Sequence, residues 1–85
     1  MRVKYHRNFI RDYKKADEKV KSAFDNRVNI FVENPFTDTL RNHPLRGRWS
    51  GYRSINVSGD FRAIYRVEKE TVVFAALGTH SQLYR

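Results

Sequence analysis

The chain has 85 residues, enough for one domain over residues 1–85 and too few for a second. It contains no cysteine, which excludes a disulfide framework, thiol catalysis and cysteine-ligated zinc. Seventeen Lys and Arg against nine Asp and Glu give a net charge of +8, and such a charge attracts polyanions. No apolar run approaches the roughly 20 residues that span a bilayer, and the N-terminus lacks the apolar stretch of a secretory signal. We therefore expect a cytoplasmic protein with no membrane partner.

The two kinds of basic residue are unevenly distributed. Residues 1–35 contain five of the six lysines, whereas residues 36–85 contain seven arginines and only Lys69. The planar guanidinium of arginine matches phosphate oxygens and stacks on bases. The second half is therefore the better candidate for a nucleic-acid face, and a solubilising surface is the alternative.

Local patterns predict a strand and two helices in the first part of the chain. Val3 and Tyr5 alternate with charged residues, which indicates a short strand. A first helix is predicted for residues 8–15. A second begins after Asp17, a good N-cap residue, and ends at residues 34–35, where Asn-Pro stops a helix. Apolar residues recur at helical spacing in this second helix, at Val20, Phe24, Val28 and Phe31.

Beyond the helices the apolar pattern has a period of two, which is typical of strands. It predicts three strands at residues 52–57, 61–67 and 71–77 in an antiparallel meander, with a further short strand near 40–45. The third strand is almost entirely apolar, so we expect it inside the sheet, with both faces covered. The predicted fold is a two-layer α+β domain of order β-α-α-β-β-β. A helical hairpin over residues 8–33 covers one face of a twisted antiparallel sheet, and the other face is partly open.

Five short motifs occur in order in the second half. They are HPLRG at 43–47, WSGYR at 49–53, DF at 60–61, Y at 65 and GTHSQLY at 78–84. They resemble the successive motifs H-x-L-x-G, W-x-G-Y-R, D-W/F, I/V-Y and G-T/S-H-x-x-L-F/Y of the YafQ-like branch of the RelE/ParE toxin superfamily. The resemblance covers about half of the chain, and the first half agrees only in its strand-helix-helix pattern.

This resemblance implies a function and its partners. Many members of the superfamily share a β-α-α-β-β-β fold, cleave mRNA on the ribosome and are held inactive by an antitoxin. We therefore expect an endoribonuclease toxin that needs no cofactor or metal, with mRNA on the ribosome as its substrate. A cognate acidic antitoxin would cover the basic surface, and the complex would bind operator DNA through the antitoxin.

Metal-free cleavage of RNA can use the 2′-hydroxyl as the nucleophile on the adjacent phosphate. The reaction needs a base, an acid and cations that stabilise the developing charge, and histidine suits both proton roles. The resemblance places His80, Asp60 and His43 in the catalytic group. The alternatives are local hydrogen bonding for His80, an ordinary turn for Asp60, and capping or packing for His43.

Further residues are candidates for substrate binding. Tyr84 matches the closing aromatic residue of the last motif, and it either stacks on a base or anchors the C-terminus. The phosphate candidates are Arg62, Arg46, Arg48 and Arg53. Related toxins have an active-site arginine near the position of Arg62, whereas Arg53 has a structural role as its alternative. Several YafQ-like members have a histidine where this chain has Asn56, which cannot exchange a proton near neutral pH.

Two other functions remain open at this point. A ParE-like toxin acts on DNA gyrase with the same fold, but such chains generally lack the histidine-aspartate set. A non-catalytic RNA-binding domain would need only the arginines and aromatic residues, and would leave His43, Asp60 and His80 unexplained.

Overall fold

A computed structural model describes residues 1–84 as a five-stranded sheet with two long helices on one face. The strands are β1 (Arg2–Tyr5), β2 (His43–Pro44), β3 (Arg53–Ser58), β4 (Phe61–Glu68) and β5 (Thr71–Thr79). The helices are α1 (Arg7–Lys15), α2 (Glu18–Glu33) and α3 (His80–Leu83). The predicted α+β class, element order and helical hairpin are confirmed.

Side-chain caps define where the two long helices begin. The Nδ1 atom of His6 accepts a hydrogen bond from the backbone N–H of Asn8 (3.0 Å). At the second helix, a carboxylate oxygen of Asp17 accepts from the backbone N–H of Val20 (3.1 Å), as predicted for an N-cap. The second helix ends at Glu33 because Pro35 follows closely. Within residues 1–84, no helix is both long and apolar enough to cross a membrane.

The strands follow the order β1-β5-β4-β3-β2. Neighbours from β2 to β5 are antiparallel, as predicted, whereas β1 pairs in parallel with β5 and makes the sheet mixed. An alternating pattern identifies a strand but contains no information about its partner or direction. The pattern therefore could not predict the parallel pair.

The main core lies between the sheet and the helical hairpin. Phe74 of β5 lies at its centre, with its ring 5.3 Å from that of Phe24 and 5.6 Å from that of Phe31. Ile55 and Ala63 contribute to the same core from β3 and β4. The strand β5 is buried along most of its length, which confirms the prediction that it is internal and covered on both faces.

Asp12 satisfies a part of β5 that β1 does not reach. The parallel pairing of β1 with β5 ends at Tyr5 and Phe74. Just beyond Phe74, the antiparallel pairing of β5 with β4 contains a register shift. Further along, the Leu77 N–H would lack a strand partner, and Oδ2 of Asp12 accepts its hydrogen bond (3.1 Å). Since an unpaired buried N–H is costly, this contact connects α1 to the end of β5.

The opposite face of the sheet is covered by a smaller cluster of apolar side chains. Ile64 and Ala76 form a second cluster there with Leu83 of α3, and Trp49 and Tyr52 pack at its edge. The indole N–H of Trp49 donates to the carbonyl of Leu83 (2.8 Å), which holds α3 against the sheet. Beyond this cluster the face is open, as predicted, and α3 was not predicted as a helix.

Candidate active site

A shallow concavity of about 460 Å³ lies on the open face, at the ends of β2, β4 and β5. It is lined by His43, Pro44, Leu45, Arg46, Arg62, His80 and Tyr84. Five of these residues are among the candidates from sequence, and they come from three separate segments of the chain. The fold therefore brings two imidazoles, two guanidinium groups and a phenol ring to one surface.

His43 is held in a defined tautomer by the backbone. Its Nδ1 atom lies 2.9 Å from the carbonyl oxygen of Arg41, which can only accept a hydrogen bond. Nδ1 must therefore carry the proton, and in the neutral ring Nε2 is left unprotonated. Arg41 has a positive φ of 48°, which turns its carbonyl in this way. In this tautomer, the Nε2 atom of the exposed imidazole is the one that can accept a proton.

His80 is the first residue of α3, and the backbone around it is fixed. Thr79 and Gln82 form a reciprocal capping box, with hydrogen bonds of 2.9 and 3.3 Å. The His80 N–H also donates to the carbonyl of Asp60 (3.2 Å). The exposed imidazole packs edge-on against Tyr84, one helical turn further along, with ring centroids 4.6 Å apart.

Arg62 and Asn56 lie opposite each other on β4 and β3, on the open face. Nη1 of Arg62 donates to Oδ1 of Asn56 (2.6 Å) and to the carbonyl oxygens of Gly59 (3.0 Å) and Phe61 (3.3 Å). The strand register places Asn56 on the site's face of the sheet and Arg53 on the other face. Asn56 is therefore connected to the concavity by its hydrogen bond to Arg62, which lines it.

Arg66 is the next arginine on the face of Arg62, but it is already paired. Its Nε lies 2.6 Å from a carboxylate oxygen of Glu68. The hydrogen bond to Glu68 raises the pKa of Arg66 above its ordinary value. The positive charge of Arg66 is thus balanced locally, which leaves Arg62 and Arg46 as the cations of the concavity.

Asp60 is connected to the site through its backbone. Its carbonyl oxygen accepts from the His80 N–H (3.2 Å), and its exposed side chain is not among those that line the concavity. The structure thus brings His43 and His80 to one surface, and Asp60 supports the second of them from the β3–β4 turn.

Arg53 lies on the helix side of the sheet. Its Nε donates to Oδ1 of Asn42 (2.7 Å), whose Nδ2 donates to the hydroxyl of the buried Tyr65 (2.7 Å). Its guanidinium also lies 5.3 Å from the ring centroid of Phe36. The predicted phosphate role for Arg53 does not agree with this position, because the side chain is used within the protein.

Arg48 lies outside the histidine concavity as well. It lines a separate concavity of about 740 Å³ between α1 and α3, beside Trp49, whose ring centroid is 5.6 Å from its guanidinium carbon. A tight turn at Gly47–Trp49 directs it there, and sequence spacing could not reveal that turn.

Two supporting features were missed from sequence. The backbone carbonyl of Arg41 acts through its conformation, so no side-chain pattern signals it. The capping box at Thr79 and Gln82, by contrast, has a recognisable pattern, because Thr-x-x-Gln is a typical helix start. Reading that pattern would have predicted α3 and the position of His80 within it.

The fold is that of small bacterial toxins. It superposes with a TM-score of 0.85 on the crystal structure of YafQ from Escherichia coli BL21(DE3), at 26% identity and full coverage of both chains. The toxin of the Escherichia coli DinJ–YafQ toxin–antitoxin complex gives 0.80 at 25% identity, covering 98% of this chain and 96% of that one. A YoeB/ParE toxin from Agrobacterium tumefaciens gives 0.78 at 20% identity, covering 94% and 99%, and this likeness concerns the fold alone.

The sequence comparisons narrow this class to one family. The model of the YafQ family, described as a bacterial toxin of type II toxin–antitoxin systems, matches residues 1–85. The mRNA interferase toxin YafQ of Escherichia coli K12 is 28% identical over 86 aligned positions, covering 96% of this chain and 94% of that protein. The chain therefore belongs to the YafQ family of toxins, which confirms the resemblance identified from its motifs.

Proposed function

We propose that this toxin is an endoribonuclease that cleaves mRNA on the ribosome by metal-free acid–base catalysis. The observation that carries the proposal is the meeting of His43 and His80 in one concavity with Arg62 and Arg46. A related toxin at 28% identity is named an mRNA interferase, which agrees with this assignment.

The proposed reaction is an internal transfer at one phosphate. Nε2 of His43 takes the proton of the 2′-hydroxyl, and the 2′-oxygen attacks the adjacent phosphorus. The bond from phosphorus to the 5′-oxygen breaks, and His80 gives its proton to that oxygen. The products are a 2′,3′-cyclic phosphate and a 5′-hydroxyl end. The tautomer of His43 supports its role as base, and His80 is then the acid.

The cations and the aromatic ring have binding roles in this proposal. Arg62 and Arg46 bind the non-bridging phosphate oxygens, where negative charge develops in the transition state. Tyr84 stacks on a base next to the scissile phosphate, and its position against His80 supports that role. For Asp60 we propose a positioning role, since its carbonyl holds the backbone of His80.

The shape of the site favours a substrate that another molecule already holds in place. The concavity is shallow, of about 460 Å³, and offers little surface for gripping a flexible RNA strand. An mRNA already fixed on the ribosome would need only local contacts with the toxin, because the ribosome has already ordered the strand. This argument supports ribosome dependence.

We also propose the regulatory partners expected from sequence. A chain of net charge +8 would bind cellular RNA indiscriminately, so an acidic antitoxin is the expected inhibitor. A YafQ toxin has been solved in complex with DinJ, its antitoxin. The corresponding complex here would bind operator DNA through the antitoxin, in the cytoplasm.

The test is incubation of the purified protein with translating ribosomes, followed by mapping of mRNA 5′ ends. We expect new ends that carry a 5′-hydroxyl, at one position relative to the ribosome, and far fewer of them with His80→Ala. Parallel reactions contain the same mRNA without ribosomes. Cleavage there would remove the ribosome dependence.

Two outcomes would favour the alternative functions. Intact mRNA together with inhibited gyrase supercoiling would indicate a ParE-like toxin. Intact mRNA with tight RNA binding would indicate a non-catalytic RNA-binding domain.

A further inference from the structure

Asn56 occupies a position that is defined by its contact with Arg62. The two residues face each other across β3 and β4, and Oδ1 of Asn56 accepts from Nη1 of Arg62 at 2.6 Å. A guanidinium has only donors, so the oxygen of the amide must be the atom that faces it. Asn56 is half-buried, which shields this hydrogen bond from competing water.

The hydrogen bonds use one end of the guanidinium and leave the other end available. Nη1 of Arg62 donates to Asn56 and to the carbonyl oxygens of Gly59 and Phe61. Within residues 1–84, Nε and Nη2 form no hydrogen bond with another residue. These two nitrogens form the fork that matches two oxygens of one phosphate, and Arg62 lines the concavity.

A long arginine side chain has many rotamers, and phosphate binding must select one of them. The contacts with the carbonyls of Gly59 and Phe61 are longer, at 3.0 and 3.3 Å, than the contact with Asn56. Asn56 is therefore the main group that fixes the guanidinium before the substrate arrives. Such preorganisation accelerates a reaction because the transition state finds its donors already in place.

We propose that Asn56 is a positioning residue that acts through Arg62 and transfers no proton. This inference rests on the proposed ribonuclease function and assigns a role to a residue that the acid–base mechanism does not use. It also explains how this chain operates with an amide where several relatives have a histidine.

The decisive experiment is a double-mutant cycle with Asn56→Ala and Arg62→Ala. Single-turnover cleavage of ribosome-bound mRNA is measured with the toxin in excess, so that slow variants give a measurable rate constant. We expect Asn56→Ala to slow cleavage about tenfold, with little change in binding to the ribosome. In the Arg62→Ala background the same substitution should have almost no further effect, because its target is gone.

The pH dependence distinguishes positioning from proton transfer. Asn56→Ala should lower the rate by the same factor at every pH, since no titrating group is removed. Asn29→Ala is the matched control, because Asn29 is exposed on α2, remote from the concavity, and should leave the rate unchanged.

The outcomes separate this inference from the function it rests on. If the wild type cleaves mRNA but Asn56→Ala slows cleavage equally in both backgrounds, Asn56 does not act through Arg62. A changed pH profile in Asn56→Ala would overturn the positioning role as well. A wild-type protein that cleaves no mRNA overturns the proposed function and this inference together.

Discussion

His80 is exposed at the start of α3, and its position depends on backbone hydrogen bonds rather than on burial of its ring. An alanine at this position keeps both the N–H that donates to Asp60 and the capping box around it. The substitution therefore removes the imidazole without removing the structure that presents it. This separation makes the role of His80 open to a clean test.

We expect His80→Ala to abolish toxicity in growing bacteria and to slow mRNA cleavage by roughly 10²- to 10⁴-fold, the usual share of a general acid. The free energy of unfolding should change by less than about 0.5 kcal/mol, and antitoxin binding should persist. Ser81→Ala, at the exposed neighbouring position, serves as the control. A fully toxic His80→Ala protein at normal expression would exclude the catalytic role.

His43 allows a separate test by substitution. Glutamine at this position can still donate to the carbonyl of Arg41, but it cannot accept a proton. We expect His43→Gln to lower the cleavage rate about 10²-fold, because the proton of the 2′-hydroxyl loses its acceptor.

The measurement for His43→Gln is the single-turnover cleavage rate, and urea unfolding of the same variant checks that the fold is intact. A His43→Gln protein that cleaves at the wild-type rate would assign the base elsewhere.

At the scale of the elements, the short helix α3 depends on close packing against β5. A Cβ atom added to Gly78 would lie 3.0 Å from Oε1 of Gln82 and 3.4 Å from Cδ2 of Leu83. That Oε1 atom accepts the hydrogen bond of the Thr79 N–H in the capping box. A side chain at Gly78 therefore disturbs the helix that presents His80.

We expect Gly78→Ala to lower the free energy of unfolding by about 1 kcal/mol, the usual contribution of a helix cap, and to reduce cleavage further by shifting His80. The measurements are urea unfolding and single-turnover cleavage. In a Gln82→Ala background, which has already lost the side-chain half of the capping box and the close contact with Oε1, Gly78→Ala should cost less. An equal cost in both backgrounds would show that the contact with Gln82 is not the cause.

The contact between α1 and β5 is the second structural link to the site. We expect Asp12→Ala to destabilise the fold by about 1–3 kcal/mol, because the Leu77 N–H would lose its acceptor. Asp12→Asn, which keeps an oxygen at that position, should lose less. Urea unfolding of the three proteins checks this order, and equal stability of Asp12→Ala and wild type would contradict it.

At the scale of the whole molecule, the net charge of +8 is the property that a binding partner must complement. Phosphate binding needs cations on the open face, and the same cations attract any polyanion. An antitoxin that covers this face would both neutralise the charge and block the concavity. Removal of single basic residues from either face can then show which face the antitoxin covers.

We expect the association rate with the product of the neighbouring gene to fall steeply as ionic strength rises. Binding should also raise the melting temperature. Arg46→Gln should slow association more than Lys19→Gln, because both remove one charge but only Arg46 lines the concavity. Equal effects would place the antitoxin elsewhere, and a rate insensitive to salt would remove electrostatic steering.

Local patterns predicted the elements other than α3, and the resemblance of the motifs identified the principal groups of the candidate site. The apolar periods, the cap at Asp17 and the stop at Pro35 are properties of adjacent residues, so they could be recognised without a structure. The motifs around His43 and His80 likewise identified both histidines before any geometry was available.

Only the tertiary structure decided which groups share a surface. Side chains alternate along a strand, so a shift of one residue would exchange the faces of Arg53 and Asn56, and register settles this only through pairing with β4. The parallel direction of β1, the tautomer of His43 and the position of Arg48 likewise depend on backbone atoms brought together by folding. Sequence determines what each segment can form, whereas long-range pairing determines which segments meet.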